Sequence, residues 1–319
     1  MQRSKQIALA GAAAGLVAGP MTAIAAPLQI GDQELKIEST VVVENYPGAN
    51  QTTPFGINGA GDISGSAFVD NYSGQVGFLW HKATNAFTTI EVGSIGYTSG
   101  RGLNDVGVVV GDYGIDLTIG EFAGFAFDST TNVVATDPNH ILRGVSNAGD
   151  LTGFIPQADG TVLGFRDWQG QTDTFSCFGA PFNNAESINV AGDVVGTYQT
   201  FDGFIGAFLY RNGQCSDISI PSAIYTIAWG INDRGDIVGQ YAGALWGGTC
   251  FFGAFYRHDN QVEVTRIKCG SNGWHGNSNK IYRLNSINND RIAVGQMDTP
   301  EPGGTMFYGT VRSNNSAPK

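Results

Sequence analysis

Five residues capable of ligand chemistry stand at the same position, immediately before a phrase that recurs along the chain. They are Arg101, Arg143, Glu186, Trp229 and Asn285. If the repeats surround an axis, equivalent positions form a ring, so these side chains should encircle the mouth of a central channel. The arginine fork pairs with carboxylate, sulfate or phosphate groups, and an indole offers a flat face to a sugar. The pattern therefore predicts a site for a glycan or another anionic polymer.

The segments that join one repeat to the next differ in sequence. Loops on one face of a repeated scaffold carry its specificity, so aromatic and basic residues in these segments are further ligand-binding candidates. They are Tyr97, Tyr225, Trp274, Lys280 and Arg283.

Catalysis is the alternative function. The chain contains no His-Glu-x-x-His, Gly-x-Ser-x-Gly or phosphate-cradling motif. A base beside arginines that neutralise a uronic acid would suit β-elimination, as in polysaccharide lyases, and the candidate bases are His140, His275 and Tyr282. Hydrolysis would need two carboxylates about 5–10 Å apart, whereas Glu186 is the only acid at the ring position.

A purely structural interpretation stays open beside these two. An arginine at the end of a strand could pair with a nearby carboxylate such as Glu186, and Trp229 could belong to the core between repeats.

The phrase reads Gly-Ile-Asn-Asp-Arg-Gly-Asp-Ile-Val-Gly at 230–239 and occurs in six variants. Its first and last residues are nine positions apart in each copy. Successive copies are 46, 42, 43, 43 and 56 residues apart. A period of this length indicates a solenoid, a propeller or an array. The copies span residues 56–65, 102–111, 144–153, 187–196, 230–239 and 286–295.

The fifth copy shows how one repeat folds. Residues 224–231, 236–241, 252–257 and 262–267 are β-branched and aromatic and are separated by turn residues. Four antiparallel strands repeated six times predict an all-β, six-bladed β-propeller, with an open β-solenoid as the alternative. Recurring glycines should lie where neighbouring backbones approach closely.

The sixth copy lacks a fourth strand, whereas an unpaired strand (35–44) precedes the first copy. We expect 37–44 to pair with 306–312 and thereby close the ring without a bare sheet edge.

The repeated turn carries Asp62, Asp150, Asp193 and Asp236. One turn offers fewer oxygens than the 6–8 that calcium prefers, so we interpret these aspartates as structural and expect neither a metal nor a cofactor. His81 and His258 fall at the same end of the repeats.

The phrase at 230–239 and the Gly-Ala-Phe segment at 206–213 resemble the HAF repeats of bacterial extracellular proteins. The resemblance covers about 56–311 and implies export and a propeller-like fold, but no catalytic residues. The chain departs from the family pattern because Gly-Ala-Phe or Gly-Phe replaces His-Ala-Phe.

Residues 1–26 read as a signal peptide: Arg3 and Lys5 precede an apolar stretch and an alanine-rich cleavage site. An uncleaved N-terminal helix is the alternative. One domain then covers 27–319, with a polar tail from about 313, in a secreted or periplasmic protein that we expect to be a monomer.

Cleavage would take the net charge from −11 to −13. This acidic balance argues against nucleic acid and anionic membranes as partners, although it allows a local basic pocket.

Four cysteines in an exported chain predict disulfides. Three connectivities are possible. We favour Cys250–Cys269, because both cysteines lie in the longest interval between phrase copies and would cross-link that segment, and Cys177–Cys215 then follows. No two cysteines have the spacing of a metal site.

Overall fold

The computed structural model describes residues 29–245, 249–269, 280–299 and 305–312. Within these ranges the chain is all-β, with 26 strands and two 3-10 turns, Asp70–Tyr72 and Cys177–Gly179. No helix among them is long and apolar enough to cross a membrane.

Each phrase copy spans the end of one strand, a turn and the start of the next strand, and thus opens a set of consecutive antiparallel strands. Two strands precede the first set: β1 (Gln29–Glu34) and β2 (Lys36–Val42). The first three sets are β3 (Gln51–Ile57), β4 (Ile63–Val69), β5 (Gly74–His81) and β6 (Ala86–Ile90); β7 (Thr98–Leu103), β8 (Val108–Asp116), β9 (Glu121–Asp128) and β10 (Val133–Asp137); and β11 (Ile141–Val145), β12 (Leu151–Pro156), β13 (Val162–Trp168) and β14 (Gln171–Phe175).

The remaining sets follow the same order. They are β15 (Phe182–Ile188), β16 (Val194–Gln199), β17 (Ile205–Arg211) and β18 (Gln214–Asp217); β19 (Ala223–Ile231), β20 (Ile237–Leu245), β21 (Thr249–His258), β22 (Gln261–Val264) and β23 (Ile267–Lys268); and β24 (Ile281–Ile287), β25 (Ile292–Met297) and β26 (Thr305–Arg312). The strands predicted for the fifth copy are confirmed, with the fourth divided into β22 and β23.

The strand before the first phrase joins the last set, as predicted. β2 pairs antiparallel with β26, with Ile37 opposite Val311 and Val42 opposite Phe307. The preceding strand was not predicted: β1 pairs in parallel with β22, and the Leu35 N–H donates to Val264 O at 2.9 Å. The N-terminal segment therefore covers the outer edge of the fifth set before it crosses to the sixth.

The apolar core lies between neighbouring sets. One cluster joins Val238 and Tyr256 of the fifth set to Leu284 and Phe307 of the sixth and to Leu35. Another joins the sixth set to the first.

Small residues at the start of each phrase allow the first strands of neighbouring sets to approach one another. We call these the inner strands: β3, β7, β11, β15, β19 and β24. A Cβ on Gly144 would lie 2.9 Å from Ser187 Cα, and one on Gly102 would lie 2.9 Å from Gly144 Cα. The predicted role of these glycines is confirmed, because a side chain at Gly102 or Gly144 would collide with the backbone of the next inner strand.

At the turn end, phrase asparagines link one copy to the next. Asn189 Nδ2 donates to Asn232 O at 3.2 Å, Asn232 Nδ2 to Asn288 O at 2.9 Å, and Asn288 Nδ2 to Asn58 O at 2.9 Å. The last of these bonds joins the sixth copy to the first.

The repeated aspartates complete the same turns. Asp236 is fully buried and accepts hydrogen bonds from Asn232 Nδ2 (2.9 Å), Tyr256 Oη (2.7 Å) and Arg291 Nε (3.1 Å), and it lies 2.7 Å from His258 Nδ1. Its oxygens are thus engaged by protein groups. In the part of the chain that the structure describes, no cluster of His, Cys, Asp or Glu could hold a metal ion.

Both predicted disulfides are present. Cys177–Cys215 joins the segment after β14 to β18, and so ties the third set to the fourth. Cys250–Cys269 ties β21 to the residue after β23.

Candidate functional site

The ring position is a β-bulge in all six inner strands. Ladder pairing skips one or two residues between Pro54 and Gly56, Gly100 and Leu103, Leu142 and Gly144, Ala185 and Ser187, Ala228 and Gly230, and Leu284 and Ser286. A bulge re-aims a side chain out of the regular alternation of a strand. The residues it releases here are Phe55, Arg101, Arg143, Glu186, Trp229 and Asn285, which we call the ring residues.

A single cavity of about 70 Å³ is lined by all six phrase copies. Phe55, Arg143, Glu186 and Trp229 contribute to its wall, as do phrase residues further along each inner strand. This cavity, the channel, is therefore central to the molecule, and four of the six ring residues face it.

Two ring arginines share one carboxylate. Arg143 Nη1 donates to Asp112 Oδ1 at 2.7 Å, and Arg101 Nε lies 3.6 Å from the same oxygen. Asp112 is buried on β8, so this pairing is shielded from solvent. Glu186, the partner in the structural alternative, is not the acid that pairs with these arginines.

Arg283 lies against the ring through aromatic faces. Its guanidinium carbon is 4.3 Å from the centroid of Trp229 and 5.6 Å from that of Phe55, and Arg101 lies 3.9 Å from the same Phe55 ring. Arg283 Nε also donates to Asn285 Oδ1. Cation–π contacts hold a guanidinium in place and leave its edge open to a ligand.

Several buried donors at the ring have no acceptor within hydrogen-bond distance among the described residues, although Arg101 Nε keeps its ion pair with Asp112 at 3.6 Å. They are Arg101 Nε, Arg143 Nε and Trp229 Nε1. An unpaired buried donor is costly, and three together favour a site that is completed by an acceptor from a ligand or solvent.

The charge balance points the same way. Burial lowers the pKa of Arg101 and that of Arg283 to about 10 each, so both remain cationic near neutral pH while lacking full compensation. At the ring, three arginines face two acids, Asp112 and Glu186, while Asp105 and Asp233 line the channel at the turns, where asparagines bind them. The ring itself therefore carries an excess of positive charge in an acidic protein.

Glu186 is the ring's only acid. Burial raises its pKa, more than Arg143, Arg101 and Arg283 lower it. No hydrogen bond or ion pair to its carboxylate occurs within the described ranges. The Glu186 carboxylate therefore lies in the channel wall without a directly bonded partner.

Two residues of the site were missed from the sequence. Phe55 occupies the ring position of the first copy, so the repeat register alone could have identified it. Asp112 follows the last glycine of the second phrase, where the other copies have Ser66, Phe154, Thr197, Gln240 and Gln296. An acid unique to one repeat was the available signal.

A larger cavity of about 930 Å³ opens beside the ring, between the second and third sets. We call it the groove. Asp112 and Arg143 lie in its wall together with Tyr97, Phe122 and Phe154. Its rim comes from the β8–β9, β10–β11 and β12–β13 connections, which lie at the end of the strands away from the phrase turns.

Of the candidate bases, His140 and Tyr282 lie in the described residues and do not line the channel. His140 Nδ1 lies 2.8 Å from Asp137 Oδ2, and its ring packs 4.6 Å from that of Phe165. Tyr282 packs with Tyr225 in a cluster under β21, and burial raises the pKa of both phenols. Lys280 Nζ donates to Arg266 O at 3.1 Å, away from the ring. Trp274 and His275 lie outside the described residues.

No protein family model and no curated protein matches the chain. Among solved structures, it resembles putative TolB from Agrobacterium tumefaciens, with a TM-score of 0.53 and 12% identity over 82% of this chain and 91% of that one. It also resembles the β-propeller domain of the trilobed protease from Pyrococcus furiosus, with a TM-score of 0.49 and 13% identity over 92% and 98% of the two chains.

TolB from Acinetobacter baumannii matches with a TM-score of 0.47 and 10% identity over 79% of this chain, which spans 65% of that protein's length. At such identities the likeness shows the β-propeller fold alone.

Proposed function

We propose that the protein is an exported β-propeller that binds a glycan or another surface polymer at the ring, without catalysis. The observation that carries this proposal is the convergence of Arg101, Arg143 and Arg283 at the ring, through their contacts with Asp112 and Phe55, where buried Nε donors of Arg101 and Arg143 lack a hydrogen-bond acceptor among the described groups. Guanidinium groups beside aromatic faces suit a sugar that carries an acidic group.

We further propose six blades closed by β2. The β2–β26 pairing and the bond from Asn288 to Asn58 support closure, because each joins the two ends of the repeat array. We also propose that the chain belongs to the HAF-repeat family, which the six phrase copies support.

Binding is favoured over β-elimination by the state of two candidate bases. His140 packs on Phe165 and lines neither the channel nor the groove, and the raised pKa of Tyr282 disfavours the phenolate that would abstract a proton. The two disulfides are compatible with an oxidising compartment, which supports a secreted or periplasmic location.

The test is calorimetric titration of the mature protein with acidic polysaccharides and their neutral counterparts. We expect binding of at least one acidic polymer, and at least a tenfold loss of affinity in the Arg101→Gln/Arg283→Gln double variant. Arg312→Gln is the matched control, since Arg312 pairs with Glu38 at the exposed β2–β26 edge.

Absence of binding to every polymer would overturn the proposal. Unsaturated product released from an acidic polymer, detected by ultraviolet absorbance, would instead establish a lyase.

A further inference from the structure

The channel and the groove differ greatly in size, and Arg143 lies in the wall of both. The channel cavity of about 70 Å³ holds on the order of two water molecules, each of about 30 Å³. It has room for one small acid group and none for a sugar ring. The groove, at about 930 Å³, lies within the usual range for ligand sites of about 300–1,000 Å³.

We propose that the groove binds the body of a short acidic oligosaccharide, and that one monoanionic group of this ligand, a carboxylate or a sulfate ester, pairs with the ring arginines. The inference rests on the proposed function and specifies its ligand. It adds Phe122, Phe154 and Asp112 to the binding residues.

The lining of the groove suits sugar rings. Tyr97 and Phe122 pack edge to face with centroids 5.1 Å apart, and Phe154 lies 5.1 Å from the guanidinium carbon of Arg143. Glu121 and Gln157 add polar groups to the same wall. Aromatic faces that alternate with hydrogen-bonding groups match the two-sided chemistry of a pyranose, which has apolar C–H faces and hydroxyl edges.

Arg143 links the two cavities through its own hydrogen bonds. Nη1 donates to Asp112, whereas Nε is buried and unpaired within the described part of the chain. Asp112 thus fixes the plane of the guanidinium and leaves a donor free for a second anion. The same carboxylate lies in the groove wall, where it can accept a bond from a sugar hydroxyl.

The charge of the site limits the ligand to one acid group near the ring. Three arginines against Asp112 and Glu186 leave a single excess positive charge when both acids are ionised. One monoanion neutralises that excess, while a second nearby would meet Glu186 and Asp112.

The experiment compares oligogalacturonides of one to four units with neutral galactose oligomers and with sulfated oligomers of the same lengths, each titrated into the mature chain. We expect affinity to rise with length in the acidic series, because added units fill the groove, and neutral oligomers to bind at least tenfold more weakly. The carboxylated and sulfated series identify which acid group the ring prefers.

Variants separate the groove from the ring. Phe122→Ala and Ile119→Glu should lower affinity for the acidic tetramer at least tenfold and leave that of the acidic monomer within twofold. Ile119 is 74% exposed at the groove rim, so its replacement keeps the test valid even if Phe122→Ala unfolds. Phe201→Ala is the aromatic control: Phe201 is 87% exposed on the β16–β17 connection, outside the groove.

Arg283→Gln should weaken monomer and tetramer alike. Tetramer binding that survives both groove variants but is lost in Arg283→Gln would overturn the groove assignment and leave the proposed function standing. Equal affinity for neutral and acidic oligomers would also overturn it, since the acid group would then play no part. Failure of every acidic ligand to bind would remove the proposed function itself.

Discussion

At the scale of single residues, Asp112 determines how the ring arginines are held. It lies 2.7 Å from Arg143 and 3.6 Å from Arg101, and its side chain is 4% exposed. A buried carboxylate depends on its cationic partners. The two arginines therefore combine a structural role with any role in binding, and a simple truncation of Arg143 would mix the two.

Arg143→Met should destabilise the fold by about 3 kcal/mol, because it leaves Asp112 buried with only the more distant Arg101. The Arg143→Met/Asp112→Asn double variant should recover most of that loss, since no uncompensated charge remains. Urea unfolding of the single and double variants measures the coupling. Additive effects of the two substitutions would show that the pair contributes no coupling energy.

Glu186→Gln should strengthen binding of an anionic ligand by about 1 kcal/mol, or roughly fivefold, because it removes the ring's own negative charge. Burial raises the pKa of Glu186, so in the parent protein falling pH should neutralise this carboxylate and strengthen binding. Arg101, Arg143 and Arg283 remain charged as the pH falls from neutral, so only Glu186 changes its charge among these four residues.

A sulfated ligand isolates this effect, because its own charge does not change on mild acidification. Calorimetry at several pH values should show tighter binding in acid for the parent protein and a flat profile for Glu186→Gln. Weaker binding by Glu186→Gln at every pH would mean that the carboxylate itself contacts the ligand.

At the scale of elements, the same turn is built with different degrees of burial in different copies. Asp236 is fully buried, with Tyr256 and Arg291 as partners, whereas Asp193 pairs at 2.6 Å with Arg211, whose side chain is half exposed. Solvent screens the second pair and not the first.

Asp236→Asn should therefore cost about 3 kcal/mol of unfolding free energy, and Asp193→Asn about 1 kcal/mol or less. Both should bind ligand normally, since neither Asp236 nor Asp193 lines the channel or the groove. Parallel urea melts and titrations test this pair, and a binding defect in either variant would show that these turn aspartates contribute to the site.

Acid stability should also report on Asp236. Its pKa is lowered because hydrogen bonds from Asn232, Tyr256 and Arg291 outweigh the effect of burial, which raises it. The associated stability is present above the pKa of the unfolded chain and is lost as pH falls through the lower folded value. Asp236→Asn should accordingly flatten the acid limb of the stability profile, and an unchanged limb would assign it to other carboxylates.

At the scale of the whole molecule, the N-terminal segment joins the ends of the repeat array. β1 covers β22 and β2 pairs with β26. Removing residues before Val43 would bare two strand edges and expose Phe307 and Tyr256, which pack near Leu35.

A chain that begins at Val43 should lose most of its stability and aggregate, because exposed strand edges template further pairing. Val41→Lys is the matched control: Val41 is 44% exposed on the same strand. Light scattering and urea unfolding measure the outcome, and a monomeric, fully stable truncated chain would contradict closure by β2.

The disulfides tie the outer parts of the array. Peptide mapping without reduction should recover Cys177–Cys215 and Cys250–Cys269 as the two linked pairs. The Cys177→Ser/Cys215→Ser variant should lose about 2–4 kcal/mol. A Cys177–Cys250 link would contradict the arrangement of the strand sets.

Features that depend on linear order could be predicted from the sequence alone. The period of the phrase predicted the strands, the pairing of 37–44 with 306–312 and both disulfides, because hydrophobic alternation, turn residues and spacing are local properties. The same register identified the ring position, and Phe55 was available by the same reasoning. The binding role of the ring and the HAF-repeat assignment remain predictions.

Which side chains meet depends on how the repeats pack, and the sequence did not predict it. Asp112, from the second set, takes Arg143 of the third as its partner, and Arg283 packs on Trp229 of the fifth set and Phe55 of the first. The tertiary structure also revealed the pairing of β1 with β22 and the groove beside Arg143. These contacts arise between residues far apart in the chain, and they depend on how bulged strands from different repeats face one another, which no single repeat encodes.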